Sequence, residues 1–174
     1  MNKILYAFAL AGVLGLSSCS DFLDQTSPSE MTAENTYASP YYTNLRINKL
    51  YGGMAQDRTY AQDLSIVWNL NSDCELIDGL GSNATNTSSE RGNMNYNMDP
   101  GWSKISGVWD AEYGIIEDAN QIIEGIRSSA TLTAGGANQK SMERSLGEAL
   151  TIRAMVYFDL VRIFGDIPFK VEAS

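Results

Sequence analysis

The amino-acid sequence predicts an all-α protein in which helical hairpins are joined by long irregular loops. Apolar residues recur every three or four positions in three separate segments, and this spacing places them on one face of an α-helix. Proline follows a capping residue at the start of two of these segments, and glycine followed by proline closes the last one.

The chain begins with the layout of a secretory signal. Lys3 and the α-amino group supply positive charge, and residues 4–16 form an unbroken run of apolar and small side chains. A membrane-spanning helix needs about 20 apolar residues, and this run is shorter. Residues 1–18 are therefore predicted to be a signal peptide that is removed from the mature protein.

A lone cysteine follows the apolar run directly. Leu16-Ser17-Ser18-Cys19 is similar to a bacterial lipobox, so Cys19 is predicted to carry lipid, palmitate included. Each buried CH₂ of such a lipid contributes about 0.8 kcal/mol to membrane binding. The alternative is an ordinary secreted protein with a chance cysteine near its cleavage site. If Cys19 is lipidated, Cys74 has no intrachain partner and no disulfide is expected.

Composition excludes several classes of function. The formal net charge is −9, and an excess of negative charge repels phosphate backbones, so no nucleic-acid partner is expected. Histidine is absent, which removes the commonest general base and the commonest metal ligand. Catalytic triads that contain histidine cannot be built from this chain. No enzymatic activity, cofactor or metal is therefore expected.

The first predicted helix follows a tether. Residues 19–38 are assigned to a lipidated tether, because most of them are polar and without periodicity, and residues 39–174 to the helical domain. Ser39 and Pro40 fit the N-cap and first position of a helix that runs to about residue 56. Its apolar positions at helical spacing are Thr43, Ile47, Leu50 and Met54.

The next stretch is the hardest to interpret. The apolar cluster between Leu64 and Leu70, within residues 60–78, fits a strand or a helix equally well. Residues 79–99 are rich in Gly, Asn, Ser and Thr and contain little to bury. Long loops without structure of their own are commonly functional or disordered. This stretch is therefore predicted to be either a binding surface or a merely flexible surface loop.

A second helix is predicted to start at Asp99-Pro100 and to end near Ser129. Asn120 interrupts its apolar face, and we expect its amide to bond the backbone of a neighbouring segment rather than a ligand. Two tryptophans on this face are expected in the core. The face consists of Trp102, Ile105, Trp109, Tyr113, Ile116, Asn120, Ile123 and Ile126.

A turn with paired glycines, residues 131–139, precedes a third helix over about 140–164. The short turn predicts that the last two helices lie antiparallel as a hairpin. Arg153 lies within an apolar strip, and we expect it to form an ion pair with a carboxylate. Gly165 and Pro168 end the helix. Two adjacent strips predict packing between two other helices: Met142, Leu146, Ala149, Val156, Leu160 and Ile163, and then Leu150, Ala154, Tyr157, Val161 and Phe164.

Two stretches of the last helix resemble a known family. GEALTIRA at 147–154 and YFDLVRIFGDIP at 157–168 closely resemble the signature of the SusD/RagB-like lipoproteins of Bacteroidetes. CSDFLD after the lipobox and the end of the first helix, Asn48 to Tyr51, also fit the family. So do Trp109, Tyr113, Ile116 and Asn120, which match its pattern in the preceding helix.

This resemblance implies a surface-exposed outer-membrane lipoprotein with tetratricopeptide-like helix pairs. Such proteins capture glycans, or sometimes peptides, and pass them to a SusC-like TonB-dependent transporter. Asp21 and Asp24, after Cys19, are similar to the signal that sends these lipoproteins to the cell surface. Family members are much longer, so we expect this chain to be the N-terminal portion of such a protein.

The resemblance also implies where ligand binds, namely in and just before the long loop. Aromatic faces cover the C–H surfaces of sugar rings, and amides and carboxylates bond their hydroxyl groups. No local motif distinguishes one candidate from another. The candidate ligand-binding residues are Asp73, Glu75, Asp78, Asn83, Asn86, Arg91, Asn95 and Tyr96.

Three other kinds of function are alternatives to glycan binding. A Ca²⁺ site at Asp73, Glu75 and Asp78 is disfavoured because their spacing does not match an EF-hand loop. A glycosidase would need two carboxylates held across a cleft, and the sequence fixes no such pair. The third is a structural helical scaffold of an envelope complex, with no ligand of its own.

Overall fold

The computed structural model describes residues 31–69, 72–73 and 101–174. These residues form helices and irregular segments with no strand among them, so the all-α prediction is confirmed. The predicted signal peptide lies outside the described residues. The helices are α1 (Ala33–Ala38), α2 (Pro40–Met54), α3 (Asp63–Asn69), α4 (Ser103–Ser128), a 3₁₀-helix (Ala130–Thr133) and α5 (Gly136–Phe164).

Helices α4 and α5 form the predicted hairpin and make the most extensive interhelical contact in the described part of the chain. The paired glycines of the connection have a specific use. Gly135 and Gly136 both take positive φ angles, 81° and 72°. Residues that have a side chain rarely adopt such angles. The chain can therefore turn sharply before α5, which begins at Gly136, a few residues earlier than predicted.

The core lies where α2 packs against this hairpin. Ile47 and Leu50 of α2 are 2% and 1% exposed and meet the isoleucines of α4 and the first apolar strip of α5. Removing such a side chain from water stabilises the fold by about 1.5–3 kcal/mol. The fully buried α5 members of this core are Met142, Ala149, Val156 and Leu160.

The second apolar strip of α5 is only partly covered. Tyr157 is buried, but Ala154 and Val161 are exposed. Helix α5 packs against two other helices, α2 and α4, as predicted, but they leave part of its wide apolar face uncovered within the described part of the chain. The uncovered large side chains of α5 are Met155, Phe158 and Val161.

The N-terminal side differs from the prediction in two ways. Helix α1 falls within the range assigned to the tether, because Tyr37 packs into the core at 5% exposure. Ser39 is the N-cap residue and Pro40 the first residue of α2, as predicted. However, the Ser39 side chain makes no cap, and its carbonyl instead accepts a hydrogen bond from Thr43 Oγ1 at 3.0 Å.

Helix α4 begins later than predicted, at Ser103 with Trp102 as its N-cap residue. Trp102 has an extended backbone and is buried against Ile66 and Ile105. Gly101 and Trp102 lie outside the helix, and the buried Trp102 immediately precedes its first residue. Residues 99 and 100 lie outside the described residues. The uncertain stretch before them contains a helix, α3, rather than a strand.

Within the described part of the chain, Arg153 bonds neutral groups rather than the predicted carboxylate. Its Nη1 donates to Asn120 Oδ1 at 2.7 Å and to the carbonyl oxygen of Val171 at 3.3 Å. These neutral acceptors suffice because the side chain is only half-buried. Asn120 in turn bonds the backbone of the C-terminal segment, as expected.

The C-terminal segment folds back along the hairpin. Gly165 ends α5 with φ 76°, as its predicted capping role requires. Tyr113 Oη then donates to the carbonyl oxygen of Pro168 at 2.7 Å, and Tyr157 Oη accepts from the amide nitrogen of Lys170 at 2.8 Å. These bonds hold residues 166–174 against both helices. Among the helices described, none combines the length and hydropathy of a membrane span.

Candidate functional site

The segment that carries most of the predicted ligand-binding residues is attached at one packed corner of the fold. It leaves the described chain after Asp73, which follows α3, and returns at Gly101, just before α4. Lys104 Nζ lies 2.7 Å from Asp63 Oδ1, and these side chains are only 16% and 11% exposed. This ion pair joins the start of α3 to the start of α4, so the helices that precede and follow the segment are packed together.

An apolar cluster strengthens the same corner. Trp102 is 7% exposed and packs against Ile66 of α3 and Ile105 of α4. Since Trp102 immediately precedes α4, its burial fixes the returning end of the segment. The ion pair and the cluster together give the segment a rigid base.

Helix α5 adds a cationic and aromatic surface beside α3. The guanidinium carbon of Arg162 lies 4.8 Å from the ring centroid of Trp68 and 5.3 Å from that of Phe158. Each such cation–π contact contributes about 0.5–1 kcal/mol at an exposed site. We call Trp68, Phe158 and Arg162 the aromatic–arginine surface. Its arginine is held by two rings while its N–H groups stay available.

The chemistry of this corner suits a neutral ligand rich in hydroxyl groups. Phe158 is 60% exposed and offers a flat apolar face, and the guanidinium of Arg162 carries up to five N–H donors. The buried indole nitrogen of Trp68 has no hydrogen-bond partner among the described residues. Leaving such a donor unpaired costs about 1–3 kcal/mol.

Comparison with known proteins gives the family. A SusD-like family model, described as "Starch-binding associating with outer membrane", matches residues 21–174. The chain belongs to the SusD-like family. The resemblance noted in the last helix is therefore confirmed over nearly the whole chain.

Individual relatives agree with this membership. SusD-like protein P2 of Formosa agariphila is 29% identical over 97% of the chain, and SusD-like protein P25 of the same organism is 23% identical over 98%. A SusD-like protein of Bacteroides ovatus is 30% identical over 36% of the chain. The alignments cover 31% of each Formosa protein, so the SusD-like chain spans about a third of their length. No solved structure matches the chain.

Of the predicted site residues, the structure describes only Asp73, which is exposed and follows α3 in the chain. Cys19 also lies outside the described residues, so its lipidation stays a prediction. The remaining ligand-binding candidates that lie outside the described residues are Glu75, Asp78, Asn83, Asn86, Arg91, Asn95 and Tyr96. In the described part of the chain, no group of three or more potential metal ligands occurs.

The predicted core tryptophans are buried or packed. Trp102 has only its small local cluster, whereas Trp109 is partly buried against the main core, with ring centroids 4.8 Å from Tyr113 and 4.9 Å from Phe164. Neither ring is offered to a ligand. The aromatic surface at the corner comes from other residues.

Sequence reasoning missed Trp68 and Arg162 as site residues. Trp68 lies in the apolar cluster that periodicity could not assign to a helix or a strand. The face of the element on which it lies could therefore not be predicted. Arg162 is part of the family signature in the last helix, and this signature alone assigns it no role in binding. A usable signal existed, because Phe158 and Arg162 are four residues apart and therefore share one helix face.

Proposed function

We propose that this SusD-like chain is part of a lipid-anchored outer-membrane protein that binds oligosaccharides outside the cell. It delivers them to a SusC-like TonB-dependent transporter. Family membership over residues 21–174 carries the proposal, because the family is described as starch-binding and associated with the outer membrane. Peptide is the second ligand class that a SusD-like protein would deliver.

The corner between α3, α4 and α5 supports the location of the ligand. An exposed ring and a guanidinium held over two rings lie beside α3, the helix that precedes the segment with the other candidates. A sugar ring presents apolar C–H faces and hydroxyl edges. The exposed aromatic ring matches the C–H faces, and the charged guanidinium matches the hydroxyl groups. The candidates on the segment itself, from Glu75 to Tyr96, complete the proposed site.

Retention of the purified chain in gels that contain starch, mannan or mucin glycans tests the ligand class. Retardation without release of reducing sugar supports binding, and release of reducing sugar would show an enzyme instead. No retardation by any glycan or peptide, together with stable association with an envelope protein, would favour the structural scaffold. The expected result is retardation by at least one glycan.

The anchor and its orientation need a separate test. The lipobox-like sequence that ends at Cys19 supports lipidation. Intact-mass analysis of the chain expressed in a bacterium of the phylum Bacteroidetes should show an acylated N-terminal cysteine, and added protease should degrade the protein on intact cells. An unmodified thiol on a protein in the culture medium would contradict the anchor.

Delivery to a transporter predicts a stable complex. Solubilised outer membranes should yield a TonB-dependent transporter that co-purifies with the tagged protein. Deletion of that transporter should abolish uptake of the bound oligosaccharide but leave its binding at the cell surface. Uptake that is unchanged without the transporter would contradict delivery.

A further inference from the structure

A carboxyl group is buried in the middle of the helical hairpin without any visible partner. Glu112 of α4 is 0% exposed. Both of its carboxyl oxygens are buried, and neither has a hydrogen-bond partner within the described part of the chain. An ionised carboxylate in such a place costs several kcal/mol unless charge or hydrogen bonds compensate it.

Helix α5 carries a second buried carboxyl group, whose negative charge raises the pKa of Glu112. Asp159 is 3% exposed, and Tyr60, in the turn between α2 and α3, donates its hydroxyl hydrogen to Asp159 Oδ2. The turn is held in place because the buried Thr59 hydroxyl donates to carbonyl oxygens at the end of α2, with Met54 O at 2.6 Å. Asp159 therefore has a fixed donor, and Glu112 has none.

The charged surroundings also distinguish the two acids. Arg162 lies one turn further along α5. Its positive charge lowers the pKa of Asp159 and so favours the anionic form of that residue. The negative charge of Asp159 raises the pKa of Glu112 and so disfavours its ionised form. Other charged side chains also lie around the first half of α4. They are Arg58, which lies along Gly107, and Asp63 of α3, which pairs with Lys104 of α4 itself.

We propose that Glu112 and Asp159 hold one proton between them in neutral solution, with Glu112 as the neutral acid and Asp159 as the anion. The packing of α4 against α5 then depends on pH. Two buried carboxyl groups that interact electrostatically cannot both ionise without repulsion. The proton resides on Glu112 because only Asp159 has a hydrogen-bond donor and a cation to stabilise its charge.

The direction of the pH effect follows from burial. Burial, and then the charge of Asp159, raise the pKa of Glu112 to about 8 from its ordinary 4.5. Burial also raises the pKa of Asp159, against the opposing effects of Tyr60 and Arg162. The folded state thus keeps a proton that the unfolded chain has released. This contribution to stability is complete below pH 4.5 and is lost as the pH rises to about 8.

Unfolding in urea between pH 5 and pH 9 tests the proposal on the unmodified chain and Glu112→Gln, a neutral variant of similar shape. The ratio of their unfolding equilibrium constants, unmodified over variant, should rise by up to about tenfold per pH unit until about pH 8. The matched control is Glu124→Gln, because Glu124 is exposed on the same helix. Its ratio to the unmodified chain should stay nearly constant.

Infrared spectroscopy of the chain labelled with ¹³C-carboxyl glutamate gives a second readout that needs no variant. At neutral pH the labelled protein should show a protonated carboxyl band, which disappears as the solution is made alkaline. A ratio for Glu112→Gln that does not change with pH would overturn the proposal. If that variant does not fold, absence of the protonated band at neutral pH would overturn it on the unmodified chain alone.

Discussion

The side-chain amide of Asn120 binds the backbone of Lys170, with Nδ2 of the asparagine 3.2 Å from the carbonyl oxygen. The same nitrogen lies 3.2 Å from the carbonyl oxygen of Glu172, and the amide oxygen accepts from Arg153 at 2.7 Å. One buried amide therefore connects α4, α5 and the C-terminal segment. This explains why a polar residue interrupts the apolar face of α4.

Replacement of Asn120 should loosen this connection. Asn120→Ala removes the partner of two carbonyl oxygens and of a half-buried guanidinium. We expect the free energy of unfolding to fall by about 1–3 kcal/mol, measured by urea denaturation. The control is Gln121→Ala, whose hydrogen bonds are exposed, and its effect should stay within about 0.5 kcal/mol. Equal effects of the two variants would contradict the linking role of Asn120.

Two glycines of α4 should respond oppositely to alanine. A Cβ on Gly125 would lie 2.1 Å from Cδ2 of Tyr37, whereas one on Gly114 meets nothing within 4 Å. Gly125→Ala should displace the tyrosine and α1 and lower the free energy of unfolding by about 1–3 kcal/mol. Gly114→Ala should raise it by about 0.5–1 kcal/mol, because alanine favours the helix. Thermal denaturation that shows the same direction for both would be inconsistent with the close approach of α1.

The ion pair at the corner should matter far more than an exposed one. Lys104→Met leaves Asp63 largely buried without its cation, which should cost about 3–5 kcal/mol. Lys49→Met breaks the pair with Asp118, in which the lysine is 58% exposed, and should cost less than about 1 kcal/mol. Both values come from chemical denaturation. A small loss for Lys104→Met would mean that the corner is not held by this pair.

The sequence predicted the parts of the fold that depend on long periodic patterns. The isoleucines of α4 and the first apolar strip of α5 recur at helical spacing, and Gly165 ends α5 where its conformational freedom indicates. Helix α1 was missed because it is short and polar and depends on one contact of Tyr37. The start of α4 was predicted too early, because the buried Trp102 has an extended backbone immediately before the helix.

The candidate site was less predictable than the fold. Asp73 could be proposed from its type and position alone, but Arg162 acquires its place only when α5 packs beside Trp68 of α3. Such a contact joins residues far apart in the chain, and no local pattern indicates it. The buried pair of Glu112 and Asp159 is hidden for the same reason, since an acid on a helix is ordinarily exposed.

Ligand binding by two matched arginine variants tests the central claim most directly. Arg162 and Arg144 are both exposed on α5, but only Arg162 lies over the rings at the corner, while Arg144 pairs with Glu148 one turn away. The dissociation constant of the retained glycan should rise at least about tenfold in Arg162→Gln, since a hydrogen bond from a charged donor contributes about 1.5–3 kcal/mol. It should stay unchanged in Arg144→Gln. Equal affinity of both variants and the unmodified chain would contradict a glycan site at this corner.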